Sequence, residues 1–176
     1  AKAHAYLTHN QVEELANAAG EYSTVIHLLS YTGLRWGEAT ALRVKDLDLL
    51  KLRLTVTENA VDVGGTIDVG TPKSHEARSV PIPRFLATEL AKACEGKSHN
   101  ALVLGDGINH LRRPSTGKGW LDSAVRQCQT TDPNFPRVTP HDLRHTAASL
   151  SVSAGANVKV VQRMLGHASA AMTLDI

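Results

Sequence analysis

The sequence predicts a mainly helical α+β domain in which helices surround a small three-stranded antiparallel sheet. Apolar residues recur at helical spacing up to residue 42 and again from residue 84 onwards. Between these regions, apolar and polar residues alternate in three short runs, a pattern typical of half-buried strands. The 176 residues, 42% of them hydrophobic, suffice for one buried core but hardly for two. One domain is therefore expected.

Three helices are predicted in the amino-terminal part, over residues 8–19, 22–31 and 35–42. Thr8 and Gln11 have the spacing of a capping box, which favours a helix start at this point. Gly33 follows the second apolar run, where glycine commonly ends a helix. Arg35 and Glu38 then lie on adjacent turns of the third helix.

The predicted sheet consists of the alternating runs Leu52–Val56, Ile67–Val69 and Val80–Ile82. Turn-forming segments at 62–65 and 73–77 separate the three runs, so that each strand can pair with its neighbour in the chain. Lys73 lies beside the second of these turns.

The remaining elements are predicted to be helices, over residues 83–96, 120–131, 140–154 and 158–165, with a further start at Ser169. Pro83 and Pro140 each stand where a helix can begin. The segment 109–119 is basic and reads as a loop, because glycine, proline and polar residues interrupt its periodicity.

Charge and composition exclude several classes of protein. The formal net charge is +2, with 19 Lys and Arg against 17 Asp and Glu, which indicates neither a basic tail nor an acidic disordered chain. Two cysteines cannot build a disulfide framework, and no apolar run reaches the roughly 18 residues needed to span a bilayer. The amino terminus has no signal-sequence pattern. A reduced, soluble, intracellular protein is expected.

The segment Pro140–Thr146 carries the side chains best suited to bind a phosphate. At about 100° per residue, a helix places Leu143 on a core stripe, with three basic residues together on a face away from it. These are His141, Arg144 and His145. A guanidinium offers paired donors to phosphate oxygens, and an imidazole can donate or accept a proton near neutral pH. An ordinary solvated face is the competing interpretation.

Several motifs, in order, resemble those of the tyrosine recombinases, the phage integrase family. Residues 32–42, TGLRWGEATAL, are similar to the first arginine motif of that family. The other resemblances are a lysine hairpin at 71–82, a second arginine motif at 141–146 and a late histidine motif at 165–167. The four motifs span about 135 residues, and the fold that the resemblance implies is the tyrosine recombinase catalytic domain.

The resemblance implies DNA strand exchange without a metal or other cofactor. In this reaction a tyrosine hydroxyl attacks a backbone phosphate and leaves a 3′-phosphotyrosyl bond and a free 5′-hydroxyl. The implied catalytic residues are Arg35, Lys73, His141, Arg144 and His167. The two arginines would clamp the phosphate, Lys73 would protonate the leaving oxygen, and the histidines would assist proton transfer and bind the phosphate. Glu38 would orient the arginines.

The resemblance also implies partners and a location. Double-stranded DNA with attachment sites is the expected partner, and candidate phosphate contacts are Arg112, Arg113, Lys118 and Arg137. The full-length protein is expected to form a homotetramer on DNA in the bacterial cytoplasm, at the nucleoid and away from membranes. This chain alone is expected to be a monomer.

The family's nucleophile has no counterpart in the chain. A tyrosine is expected shortly after His167, but the sequence ends at Ile176, and Tyr6, Tyr22 and Tyr31 lie far upstream. The chain is therefore expected to be a catalytic domain, residues 1–176, that ends just before its nucleophile and lacks the amino-terminal DNA-binding domains. As such it should not cleave DNA.

Other interpretations remain open for the same residues. The chain could be an inert DNA-binding or regulatory relic of this fold. His141 and His145, four residues apart, could also be metal ligands in a hydrolase, although Arg144 on the same face would repel a cation. Arg35 could serve only to pair with Glu38. Lys73 could be a solvated turn residue, His167 could cap a helix, and His145 is interpreted as structural.

Overall fold

The computed structural model describes residues 4–73 and 76–166. In these ranges the chain forms seven α-helices: α1 (His9–Ala18), α2 (Ser23–Thr32), α3 (Trp36–Ala41), α4 (Arg84–Ala93), α5 (Trp120–Gln129), α6 (Pro140–Ser153) and α7 (Val158–Leu165). The strands are β1 (Leu47–Asp48), β2 (Arg53–Val56), β3 (Asn59–Val63), β4 (Thr66–Gly70) and β5 (Arg78–Pro81). Two 3₁₀ turns, Gly20–Tyr22 and Val44–Asp46, complete the regular structure. The mainly helical α+β class is thus confirmed.

Each of the seven helices lies where the sequence predicts one. The capping box at the start of α1 is present, since Thr8 Oγ1 accepts from Gln11 N at 3.2 Å and Gln11 Oε1 accepts from Thr8 N at 2.9 Å. The loop predicted at 109–119 has no helix or strand before α5. The start predicted at Ser169 lies outside the described residues. No helix within the described ranges is both long and apolar enough to cross a bilayer.

The sheet contains three antiparallel strands, as predicted, but its membership differs. Its order is β1-β2-β5, whereas β3 and β4 pair with each other as a separate hairpin. The run Ile67–Val69, predicted to join the three-stranded sheet, therefore belongs to the hairpin. Gly64 and Gly65 both have positive φ, which forms the tight turn that pairs β4 with β3. Alternation identified the strand, but it carries no information about the partner.

Two helix ends meet at Gly33 and bring distant parts of the sequence together. Gly33 ends α2 with φ 71°, a left-handed conformation that glycine adopts without strain. A Cβ at this position would lie 2.4 Å from Leu165 Cδ2, at the end of α7. A side chain at this position would therefore force Leu165, or the loop between α2 and α3, to move.

Helix α6 is buried on more than one face, which corrects one prediction. Leu143 and Ala147 lie in the core as expected, but Arg144, predicted on a face away from the core, is only 3% exposed. Helix α6 packs on α2 and on α7, and Leu7 donates a backbone hydrogen bond to Thr146 Oγ1 at 3.2 Å. The helical wheel separated the faces correctly, but neighbouring segments cover the second face as well.

Candidate active site

Four of the five predicted catalytic residues line one cleft. The cleft has a volume of about 500 Å³ and lies between the loop before α3, the β3–β4 hairpin and the start of α6. Its lining includes Arg35, Lys73, His141 and Arg144. The fifth predicted residue, His167, lies outside the described residues. Segments more than 100 residues apart in sequence thus supply a guanidinium pair, an ammonium and an imidazole to one concave surface.

Arg144 is held in the floor of this cleft by backbone carbonyl groups. Its Nη1 donates to Gly33 O and its Nη2 donates to Leu165 O at 2.7 Å. Burial, together with the nearby Arg35 guanidinium, lowers the pKa of Arg144 to about 9. The side chain therefore still carries its charge near neutral pH, in a setting where an added anion would be strongly favoured.

Arg35 immediately precedes α3 and is anchored by Glu38. Glu38 Oε1 accepts from the backbone N of Arg35 at 2.9 Å, while the two side chains approach only to 3.5 Å. The Arg35 side chain keeps 20% of its surface exposed, whereas that of Glu38 is fully buried. Glu38 thus lies beside Arg35 as predicted, but it holds the backbone of Arg35 more closely than its guanidinium.

The strongest partner of Glu38 is Arg78, a residue that was not among the predicted site residues. Arg78 Nη1 and Nη2 donate to the two carboxylate oxygens of Glu38, each at 2.7 Å. Burial acts to raise the pKa of Glu38, but the hydrogen bonds and charge of Arg78, with those of Arg35, outweigh it and hold that pKa below its usual range. Glu38 is therefore an anion that links two arginines.

A period-two pattern could have revealed Arg78. Residues two apart in a strand point to the same face, and Val80 and Ile82 were predicted to face the core. Arg78 shares that face, and its side chain is 9% exposed. Buried charges are commonly paired with an opposite charge, so an arginine at this position in β5 was itself a signal that a buried anion could lie nearby.

The histidines form a cluster at one edge of the cleft. The ring of His145 lies 3.8 Å from that of His4 and 4.6 Å from that of His141, measured between centroids. Both ring nitrogens of His145 are buried and have no hydrogen-bond partner among the described residues. Burial and the neighbouring His4, His141 and Arg144 lower the pKa of His145 to about 4. His145 is thus neutral and packs behind His141.

His141 is the member of the cluster that reaches the cleft. Its side chain is exposed and lines both the main cleft and an adjacent cavity of about 600 Å³. Desolvation on its packed side, with the charge of Arg144 and the His4 ring, lowers the pKa of His141. A neutral imidazole beside two guanidiniums is able to accept a proton.

Three of the four predicted DNA contacts lie at or beside this cleft. Arg112 and Arg113 line it, and Arg137 lines the adjacent cavity. Arg112 is engaged by the hairpin, since it donates to Asp62 Oδ2 at 2.8 Å and to Gly65 O at 2.7 Å. Lys118 is exposed before α5 and lines neither cavity.

None of the three tyrosines of the chain lines the cleft. Tyr22 stacks on Trp120 with ring centroids 4.4 Å apart, and Tyr31 packs edge-on against Phe85 at 5.0 Å. Tyr6 lies 6.5 Å from the ring of His145, outside the cleft lining. Burial raises the pKa of Tyr31, and nearby Glu13 adds to this effect, so its hydroxyl is poorly suited to attack.

The described residues do not supply a metal site. They contain no group of three or more histidine, cysteine, aspartate or glutamate side chains arranged to hold a metal ion. His141 and His145 are close, but their rings meet edge to face at 84°. Residues 4–73 and 76–166 therefore supply no third metal ligand beside His141 and His145, which the hydrolase interpretation would need.

Comparisons with known proteins identify relatives of this chain. The chain is 31% identical over 173 residues to a tyrosine recombinase of Thermosipho africanus and 29% identical over 188 residues to the transposase from transposon Tn916 of Enterococcus faecalis. Each alignment covers 96% of this chain, but only 55% and 46% of the respective relative. The chain thus spans about half the length of these relatives.

Solved structures share the fold. The Tn1549 transposon integrase in complex with a circular intermediate DNA matches with a TM-score of 0.79 at 21% identity, over 99% of this chain and 62% of that one. The catalytic domain of bacteriophage HP1 integrase matches with a TM-score of 0.66 at 22% identity, over 98% and 86% of the two chains. The sequence model of the phage integrase family matches residues 5–176. With this match across nearly its whole length, the chain belongs to the phage integrase family.

Proposed function

We propose that this chain is the catalytic domain of a phage- or prophage-type site-specific tyrosine recombinase, which exchanges DNA strands through a 3′-phosphotyrosyl intermediate. The convergence of Arg35, Lys73, His141 and Arg144 on one cleft carries the proposal. The relatives named as a tyrosine recombinase and a transposase support the same reaction class. Double-stranded DNA at attachment sites is the proposed substrate, and the bacterial cytoplasm is the proposed location.

The two arginines stabilise the charge that develops on the phosphate. Attack by a tyrosine oxygen on phosphorus gives a pentacoordinate phosphorane, whose non-bridging oxygens gain negative charge. Arg144 is fixed by two backbone carbonyls, so its guanidinium is ordered before the substrate arrives. Glu38 fixes the backbone of Arg35 and lies 3.5 Å from its guanidinium, which keeps that donor beside the cleft. Preorganised donors of this kind contribute about 3–4 kcal/mol each to lowering such a barrier.

Protons move at two points in the reaction. His141, kept neutral by its surroundings, accepts the proton of the attacking hydroxyl. Lys73 gives a proton to the 5′-oxygen as the bond from phosphorus to that oxygen breaks. Its exposed position after β4 gives the ammonium access to the cleft. No metal is needed for either step, because the arginines supply the positive charge.

The nucleophile is proposed to follow residue 176 in the full-length protein, with His167 as a further phosphate ligand. The 176-residue chain is accordingly proposed to bind DNA as a monomer without cleaving it. Full-length protein is proposed to act as a tetramer on DNA, with additional domains that add phosphate contacts and affinity.

The experiment uses the full-length protein and a suicide DNA substrate, in which a nick next to the cleavage point lets the released strand diffuse away. Parallel incubations with and without EDTA, each followed by a denaturing gel, detect DNA cleavage and any covalent protein–DNA adduct. We expect the wild type to form an adduct, and Arg35→Ala or Arg144→Ala to form it at least 100-fold more slowly. Arg84→Ala, an exposed arginine at the start of α4, is the matched control and should react normally.

Two results would contradict the proposal. Absence of any adduct with the wild type, while DNA is still bound, would favour the inert relic. Cleavage that EDTA abolishes would favour metal-dependent hydrolysis. Urea unfolding of each variant distinguishes a lost function from a lost fold, and Arg35→Ala is the safer variant because its side chain is partly exposed.

A further inference from the structure

We propose that Arg78 is a positioning residue, which holds the last turn of α7 against Glu38 and thereby fixes the Leu165 carbonyl group that orders Arg144 in the cleft. The inference rests on the proposed function. Arg78 does not line the cleft; it lines a separate groove between β5 and α7. Its effect on the reaction therefore has to pass through the groups that it binds.

All three nitrogens of the Arg78 guanidinium have a protein acceptor. Nη1 and Nη2 bind the Glu38 carboxylate as a two-pronged fork, and Nε donates to Met164 O at 2.8 Å. The Glu38 side chain is fully buried and that of Arg78 is 9% exposed. Charge-assisted bonds in such a setting are short and directional, so they define one geometry. Arg78 is thus a rigid link between α3 and α7.

The same turn of α7 is bound by the arginine of the cleft. Arg144 donates to Leu165 O, the carbonyl next to the Met164 carbonyl that Arg78 binds. Two guanidiniums therefore satisfy consecutive carbonyl groups at the carboxyl end of α7, where positive charge is also favoured by the helix dipole. A shift of this turn would move an acceptor of Arg144 at the same time.

Gly166 shows how closely the link is packed. It ends α7 with φ 71°, and a Cβ at this position would lie 3.1 Å from Arg78 Nη1. The guanidinium thus lies directly against Gly166, the residue that ends α7 next to the Leu165 carbonyl bound by Arg144. Errors of about 1 Å in placing reacting groups can slow a reaction about 100-fold. The link is therefore in a position to control the rate of cleavage without contacting DNA.

Arg78→Lys tests the inference because it keeps the positive charge and changes only the number and geometry of the hydrogen-bond donors. A lysine ammonium can still pair with Glu38, but a single nitrogen cannot reproduce the fork and the bond to Met164 O together. The matched control is Arg53→Lys. Arg53 lines the same groove and binds β5 through Ser79 Oγ at 2.6 Å, but none of its described bonds involves Glu38 or α7.

Single-turnover adduct formation in the full-length protein, at saturating suicide DNA, gives the rate, and a binding titration gives the DNA affinity. We expect Arg78→Lys to form adduct about 10- to 100-fold more slowly, with its DNA Kd within twofold of the wild type. Hydrogen exchange in residues 158–166 should become faster in the same variant. Arg53→Lys should match the wild type in all three measurements.

The outcomes separate this inference from the proposed function. If the wild type forms no adduct, the proposed function fails. If the wild type reacts and Arg78→Lys reacts at the same rate, or loses DNA affinity in proportion to rate, only the positioning role is overturned. Should Arg78→Lys unfold, the paired variant Glu38→Gln/Arg78→Gln removes both buried charges together and undergoes the same comparison. Wild-type rate in that folded pair would equally overturn the inference.

Discussion

Replacing Gly33 with alanine is expected to separate α7 from the loop that carries Arg35. The added methyl group meets two problems at once. The residue has φ 71°, where side chains are strained, and the new Cβ would lie 2.4 Å from Leu165 Cδ2. Leu165 is 1% exposed and belongs to the core, so it has little room to move away.

The magnitude follows from adding the two effects. A left-handed conformation costs about 1–2 kcal/mol for a residue with a Cβ. Relieving an overlap of about 1 Å in a packed core costs about 1–3 kcal/mol more. The free energy of unfolding should therefore fall by about 2–5 kcal/mol. Each kcal/mol lost from the free energy of unfolding lowers Tm by about 2–4 °C in a domain of this size.

Gly20 is a matched control for the strain alone. It also has a positive φ, 57°, but a Cβ there has no heavy atom within 4 Å. In urea unfolding, the free energy of unfolding of Gly33→Ala should thus be about 1–3 kcal/mol lower than that of Gly20→Ala. In a Leu165→Ala background the overlap disappears, and Gly33→Ala should then be no more damaging than Gly20→Ala. Equal losses for the two glycines in the wild-type background would refute the close contact.

Two further predictions concern the histidine cluster and the basic loop. In the folded protein the pKa of His145 is about 4, against an ordinary value of 6.5. As the pH falls below about 6.5, the unfolded chain therefore binds a proton at His145 before the folded chain does. Acid thus favours the unfolded chain. Between pH 7 and pH 5 the free energy of unfolding should fall by about 1–2 kcal/mol in the wild type and by less in His145→Phe. Urea unfolding at the two pH values measures this. An equal fall in both proteins would contradict the lowered pKa of His145. For DNA binding, Arg113→Gln should reduce the slope of log K against log salt by about 0.9, and Arg112→Gln by less, because Asp62 already balances the charge of Arg112. Titrations at several salt concentrations check this, and a larger effect of Arg112→Gln would reverse the interpretation.

The local elements of the fold were predictable because their signals are local. Caps, glycines and helical periodicity marked the positions of the seven helices, and the capping box of Thr8 is present as predicted. Strand pairing was not predictable from alternation, since Ile67–Val69 has the same pattern whether it joins β2 or β3. β1, with only two residues, is too short to produce a periodic signal.

Four of the predicted catalytic residues, Arg35, Lys73, His141 and Arg144, line one cleft, and their catalytic roles stay a prediction. The contacts that hold these side chains could not be predicted from the motifs. Burial of Arg144 was missed, because a helical wheel does not show what packs on each face. Arg78 was missed although it shares a strand face with Val80; a charge in that position should have prompted a search for its anion.

If the residues of the cleft act on one phosphate with separate tasks, a change of the leaving group tests this most directly. In a DNA substrate whose 5′-bridging oxygen is replaced with sulfur, the departing thiolate needs no proton, because a thiol has a pKa of about 8.5. With this substrate, the full-length Lys73→Ala protein should cleave at close to the wild-type rate. The Arg35→Ala protein should stay slow, because charge still develops on the phosphate oxygens. A Lys73→Ala protein that is equally slow with oxygen and with sulfur would contradict the account.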